Sequence, residues 1–175
     1  MTAFERWQKA TLIAPTYKGV FNEPPWGDNW SYYSAWKQVT QDLKNPGVVL
    51  RLFKATPLLV GAFAWGYPKP VGRIVELKYQ KAQNLVTDTL GEIGILPSMK
   101  GFYVSEVGTL PKYRCRGLAT GSLESFKELA RTEGLPLILR TLKQSEMAGL
   151  CRRIGLTELM INDLDDTRRT LFIGR

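Results

Sequence analysis

The hydrophobic pattern changes period at one point that organises the chain. Over Phe102–Leu110 the residues Phe102, Tyr103, Val104, Val107, Thr109 and Leu110 are aromatic, β-branched or apolar, which predicts a strand. Pro111 has no amide to donate to a ladder and stops it. From Gly117 the spacing becomes helical, with Leu118, Leu123, Phe126, Leu129 and Ala130 on one face and Thr132-Glu133-Gly134 ending the element. Upstream, Phe4, Trp7, Ala10, Thr11, Ala14, Tyr17 and Val20 recur at three- and four-residue intervals, predicting an amphipathic helix with a break or kink at Pro15. Phe21–Trp30, interrupted by two prolines and a glycine, reads as a loop. Ser31 is placed to cap a second helix from Tyr32 to about Lys44, with Tyr33, Trp36, Val39, Thr40 and Leu43 on its apolar face.

Two apolar runs follow, Val48–Phe53 and Leu58–Trp65, joined by Lys54-Ala55-Thr56-Pro57; they predict an antiparallel hairpin. Pro68–Lys100 reads as helical in part over Leu77–Leu90, with Gly91, Gly94 and Pro97 keeping the remainder irregular. It has neither repeats nor low-complexity composition. Leu135–Thr141 predicts a buried strand, and a right-handed crossover makes it parallel to Phe102–Leu110. A short helix over Gln144–Arg153 and closing strands over Leu156–Ile161 and Thr170–Ile173 complete a mixed α/β chain, the last two separated by the acidic turn Asn162–Asp166.

At 175 residues and 44% apolar composition the chain is sized for one substantial core, so a single domain over 1–175 is expected. No stretch approaches the roughly 18 to 20 apolar residues that span a bilayer, and a soluble, cytoplasmic protein without a membrane partner is expected. There is no histidine, which excludes histidine-based catalysis; Cys115 and Cys151 make neither a disulfide framework nor a metal set, so no metal is expected. The net charge of +8 is spread along the chain without a basic block or a nucleic-acid motif. A polyphosphate cofactor accounts for part of that charge better than nucleic acid does.

Between the two periodic segments sits Arg114-Cys115-Arg116-Gly117-Leu118-Ala119. A strand that feeds a helix through a short turn leaves helix-start amides without partners, and such a start binds phosphate. Gly117 and Ala119 allow close backbone approach, and Arg114 and Arg116 add positive charge beside the helix dipole. The loop is neither a Walker A loop, since no Gly-Lys-Ser/Thr follows, nor a G-x-G-x-x-G dinucleotide turn.

The pattern Arg114-x-x-Gly117-x-Ala119 resembles the Q/R-x-x-G-x-G/A pyrophosphate loop of the GNAT superfamily of acyl-CoA-dependent N-acetyltransferases, and Leu110–Arg114 resembles that family's V-x-P-x-Y-R approach. Phe21–Trp30 resembles the F-N-x-x-P-W-x-D-x-W entry of some small-molecule acetyltransferases. Gln144–Leu156 resembles the second signature, N-x-x-A-x-x-L-Y-x-x-x-G-F, keeping Leu150 and Gly155. There Gln144 stands for Asn, Met147 for Ala, Cys151 for Tyr and Leu156 for Phe.

The resemblance implies a GNAT-type mixed, centrally splayed β-sheet flanked by helices. It implies acetyl-CoA held by the loop from Arg116 to Gly121, including Leu118, Ala119 and Thr120, with Arg114 and Arg116 near the phosphates. The backbone of Val107 and Thr109 would pair with pantetheine, and Gln144 would lie in the cofactor site. Trp26 and Trp30 would border the acceptor, and residues 68–100 form an insertion that is a candidate substrate lid. The implied reaction is attack of a small-molecule primary amine on the thioester in a ternary complex. An alkylammonium with a pKa near 10 is only about one part in a thousand neutral at pH 7, so a base matters. Glu106 is the first choice for it, and Cys151 occupies the position of the acid, with packing as its other role. A non-catalytic acyl-CoA-binding module and a protein-amine acetyltransferase are the alternatives, and a homodimer is left open.

Overall fold

The structure is a computed structural model that describes residues 1–161 and 163–175. Among the described residues thirteen elements follow one another, and six strands form one mixed sheet in the spatial order β1 (Val49–Thr56), β2 (Leu59–Pro70), β3 (Lys100–Thr109), β4 (Leu137–Leu142), β6 (Arg169–Gly174), β5 (Thr157–Leu159). The chain divides into two compact units, residues 1–67 with 105–123, and residues 68–104 with 124–175.

In the first unit, α1 (Ala3–Phe21) starts on a capping box: the Glu5 amide donates to Thr2 Oγ1 at 3.2 Å and the Thr2 amide to Glu5 Oε2 at 2.7 Å. The helix runs on through Pro15, so of the break or kink expected there the break does not occur. Proline removes one intrahelical hydrogen bond, whereas Ala10, Ile13, Ala14, Tyr17, Val20 and Phe21 bury a continuous face that holds both halves together. Among the described residues no strand precedes this helix. Ser31 caps α2 (Tyr32–Asp42), accepting from the Ser34 amide at 3.0 Å. Its buried face is Ala35, Val39 and Asp42; Tyr33, expected on that face, is 69% exposed and stacks on Trp36 instead. β1 (Val49–Thr56) and β2 (Leu59–Pro70) form the predicted hairpin, with register irregularities between Phe53 and Thr56.

In the second unit, α4 (Gln83–Glu92) falls largely within the Leu77–Leu90 stretch expected to be helical in part, whereas α3 (Val71–Lys78) lies almost wholly before it and was not expected. The segment read as irregular has a structural use. Met99 O accepts from the Val71 amide and Pro97 O from the Gly72 amide, both at 2.9 Å, so the Pro97 turn satisfies donors at the start of α3. β3 (Lys100–Thr109) pairs in parallel with β4 (Leu137–Leu142) over Phe102↔Leu137, Tyr103↔Ile138 and Val104↔Leu139, a ladder that ends after three pairs. Phe102 packs on Phe126 of α5 (Leu118–Thr132), 5.4 Å between ring centres. After α6 (Glu146–Arg153), β5 (Thr157–Leu159) and β6 (Arg169–Gly174) close the sheet antiparallel to each other, and β6 pairs along all of β4. Of the expected acidic turn, Asn162 lies outside the described residues, and Asp163 is not a solvated residue at all. It is 1% exposed, is ion-paired with Arg140 at 2.6 Å, and accepts from the amides of Asp165 and Asp166 at 3.0 Å.

Candidate active site

β3 leaves the sheet at Thr109, passes through one 3-10 turn at Pro111–Tyr113, and reaches α5 through Arg114–Gly117. Two residues of this link have left-handed backbone, Cys115 at φ 58° and Gly117 at φ 74°. Glycine accepts that conformation without steric cost, and a Cβ added at Gly117 would point into open space, so the backbone there can approach a ligand closely. The first helical bond runs from the Gly121 amide to Gly117 O at 2.8 Å. The Gly121 amide, expected among the ligand donors, is thus spent inside the helix, and the helix-start donors are Leu118, Ala119 and Thr120.

The basic side chains of the loop are held by a neighbouring ring. The Arg116 guanidinium and the Lys112 ammonium lie 5.4 and 5.9 Å from the centre of the Tyr113 ring. Tyr113 in turn meets Phe53 edge-on at 5.8 Å and covers Gly61, where a Cβ would sit 2.8 Å from its ring. Arg114 is half-exposed; its Nε donates to Thr109 O at 3.3 Å, and its Nη2 lies 3.7 Å from a Glu23 carboxylate oxygen.

Four residues before Leu110, Glu106 is half-buried, and its Oε1 accepts from the Tyr17 hydroxyl at 3.4 Å. Tyr17 is the hub of an aromatic group: Phe21, Trp30, Phe63 and Trp65 stand 4.5, 5.3, 5.8 and 6.0 Å from its ring centre. Burial raises the Tyr17 pKa strongly, and the charges of Glu106, Asp42 and Asp28 raise it further, so this hydroxyl stays a donor. Trp26 packs edge-on to Phe21 at 5.6 Å, and Trp30 donates its Nε1–H to Asp28 at 3.2 Å. Both tryptophans are half-buried.

Ser105 and Glu106 are consecutive, and a regular pleat would send them to opposite faces. Both nevertheless reach groups on the helices of this unit, Ser105 to Asp42 of α2 and Glu106 to Tyr17 of α1. The amides are also out of step. Phe102 N–H donates towards β4, to Pro136 O at 2.8 Å, whereas Leu110 N–H, an even number of residues on, donates to Gly61 O of β2 at 2.9 Å. One extra residue in the strand, a β-bulge, accounts for both observations.

No protein-family model matches the sequence, and a comparison with curated proteins finds no match. Solved structures do match along nearly the whole chain. PaiA N-acetyltransferase from Thermoplasma acidophilum, in complex with coenzyme A, superposes with a TM-score of 0.61 at 8% identity, covering 97% of this chain and 94% of that one. A polyamine N-acetyltransferase from Drosophila melanogaster that forms N-acetylagmatine gives 0.61 at 14% identity, covering 99% and 96%. A protein from Desulfovibrio desulfuricans assigned to the GNAT family gives 0.61 at 14% identity, covering 95% and 90%. The chain has the GNAT fold.

Within this GNAT fold the second signature is the less open of the two. Cys151 lies on the buried face of α6 with 0% exposure, and desolvation pushes its thiol up to about 12. Gln144 is exposed in the turn before α6, preceding the N-cap Ser145. Sequence reasoning missed Tyr17, Asp42, Ser105, Trp65 and Tyr113. Gly108 carried a usable signal, because a glycine inside an apolar strand marks a close approach. A Cβ there would lie 2.4 Å from the Phe63 ring.

Proposed function

We propose that the chain transfers an acetyl group from acetyl-CoA to the primary amine of a small molecule in a ternary complex. The observation that carries this reading is the Glu106 carboxylate, held by Tyr17 beside the aromatic group and joined through a few residues of β3 to the helix-start loop. The amides of Leu118, Ala119 and Thr120 take the diphosphate, with Arg114 and Arg116 supplying charge. Pantetheine runs along the backbone of Val107 and Thr109, where the Thr109 carbonyl already accepts from Arg114.

Glu106 takes a proton from the ammonium, the neutral nitrogen attacks the thioester carbon, and the tetrahedral intermediate collapses to the amide and the CoA thiolate; the second proton lost by the nitrogen passes through water to the thiolate, and Glu106 returns its own proton to solvent. Cys151 packs rather than donates, as its burial and raised pKa favour. Trp26 and Trp30 border the acceptor, where aromatic faces and the Asp28 carboxylate suit a cation. The fold is shared with a protein that binds coenzyme A and with one that acetylates polyamines, and both support the reading. The buried cysteine at the acid position favours one other reading, a non-catalytic module that binds acyl-CoA.

Calorimetry with acetyl-CoA followed by turnover on a panel of amines decides between them. Tight acetyl-CoA binding with no turnover of any amine selects the module. No acetyl-CoA binding overturns both readings.

A further inference from the structure

The two cations on either side of Arg114 have no acidic partner. Among the described residues neither Lys112 nor Arg116 makes an ion pair, although both are exposed, whereas Arg114 is shared between Glu23 and the Thr109 carbonyl. Both converge instead on one ring: Lys112 Nζ and the Arg116 guanidinium carbon lie 5.9 and 5.4 Å from the centre of Tyr113. A cation gains only modestly from an exposed ring, and two cations beside the same ring repel each other. An anion that contacts both removes the repulsion and adds charge-assisted hydrogen bonds. The ring itself is fixed, since the Tyr113 amide donates to Leu110 O at 2.8 Å and the ring is braced by Phe53 and by the bare backbone of Gly61. Two uncompensated charges are thus held where the chain enters α5.

We propose that Lys112 and Arg116, gathered by Tyr113, form a phosphomonoester site, and that its ligand is the 3′-phosphate of acetyl-CoA. This rests on the reading that the helix-start amides of Leu118, Ala119 and Thr120 take the diphosphate. The two phosphate groups of the cofactor differ in chemistry. The diphosphate is bonded at both ends and suits a row of fixed amides. The 3′-phosphate is terminal, with a second pKa of about 6, so it is close to a dianion at pH 7 and suits two cations. One ribose carries both groups, and Lys112 and Arg116 belong to the link that runs into the helix start, so the two sites are neighbours as their ligands are. The consequence is selectivity for the donor. The same thioester without the 3′-phosphate loses the contacts to both cations.

The test is calorimetry of the whole chain with acetyl-CoA and with 3′-dephospho-acetyl-CoA. The wild-type chain should bind acetyl-CoA at least about tenfold more tightly. Lys112→Gln, and Tyr113→Leu, which keeps both cations but removes their support, should each narrow that ratio at least about threefold by weakening acetyl-CoA. Lys44→Gln removes an exposed positive charge elsewhere in the same unit and should leave the ratio where it was. A wild-type ratio near one overturns the proposal. So does a ratio that Lys112→Gln leaves unchanged, or that Lys44→Gln narrows as much, since that is the effect of net charge alone. A folded Tyr113→Leu that keeps the wild-type ratio overturns it too; if that variant does not fold, Lys112→Gln against Lys44→Gln decides. The acetyl-CoA reading fails separately, when neither donor binds, and the proposal then falls with it.

Discussion

The Tyr17 hydroxyl donates to Glu106 Oε1 across 3.4 Å, from a helix 89 residues away in sequence. Burial and three surrounding carboxylates hold its pKa far above the ordinary phenol value, so it does not exchange roles with the glutamate at any working pH. Tyr17→Phe removes that single bond and keeps the ring that packs on Phe21, Phe63 and Trp65. Turnover should fall about 3- to 10-fold, the weight of one modest hydrogen bond, with acetyl-CoA affinity unchanged. Steady-state rates and calorimetry on the same preparation check it. A loss of acetyl-CoA affinity would mean that Tyr17 serves the fold of the loop instead.

The loop itself gives a test that separates binding from folding. Gly117 has φ 74° and open space where a Cβ would be, so Gly117→Val meets no clash in the free protein and costs only the left-handed conformation, about 1–2 kcal/mol. The added side chain would stand where the diphosphate approaches. Acetyl-CoA affinity by calorimetry should drop at least about tenfold, while the melting temperature falls only by roughly 2–8 °C. Unchanged affinity would remove the loop from the cofactor site.

These two regions differ in how much of them the sequence displayed. The loop was readable because strand, turn and helix lie side by side in the chain, and the change from an extended to a helical pattern at Gly117 marks the junction. The hairpin of β1 and β2 was readable for the same local reason. The surroundings of Glu106 were not, since Tyr17 and Asp42 reach β3 from helices 89 and 63 residues upstream. Neither residue has a local pattern that announces such a contact. Asp42 was concealed further by lying in a polar helix end, where a carboxylate ordinarily faces water. At Pro15 the local rule is sound, but the buried face on both sides of it outweighs one hydrogen bond and the helix does not break there. Asp163 sits in a run read only as an acidic turn, and its pairing with Arg140, with the amides of Asp165 and Asp166, satisfies it inside.

That pairing makes a stability prediction within the second unit. Arg140 is 11% exposed, holds Asp163 by two contacts through Nε and Nη2, and lies over the Tyr79 ring at 4.9 Å. Asp163→Ala leaves a guanidinium buried without its partner and releases the Asp165 and Asp166 amides. The chain should lose about 3–5 kcal/mol, read as a lower midpoint in urea. Replacing exposed Glu128, whose carboxyl is held below its usual range by hydrogen bonds from Arg131, should change the midpoint little.

The last prediction concerns Cys151, through its proton rather than its chemistry. An unfolded thiol releases its proton near 9, whereas burial inside α6 holds the native one to about 12. A group whose pKa is raised on folding contributes stability that is complete below the unfolded value and is lost as pH climbs towards the folded one. The wild-type chain should therefore lose stability between about pH 9 and 12 more steeply than Cys151→Ala does. At pH 7 the order reverses, the alanine variant being weaker by about 1 kcal/mol for the small cavity it opens. Thiol counting supplies an independent reading, since a maleimide should find only exposed Cys115 in the native protein and both cysteines after denaturation. Urea midpoints at pH 7 and pH 10 for the two proteins, with amine turnover followed alongside, check both the burial of the thiol and its chemistry. Parallel curves would contradict the burial of Cys151, and a tenfold loss of turnover in the alanine variant with unchanged melting temperature and acetyl-CoA affinity would make Cys151 the proton donor to the leaving thiolate.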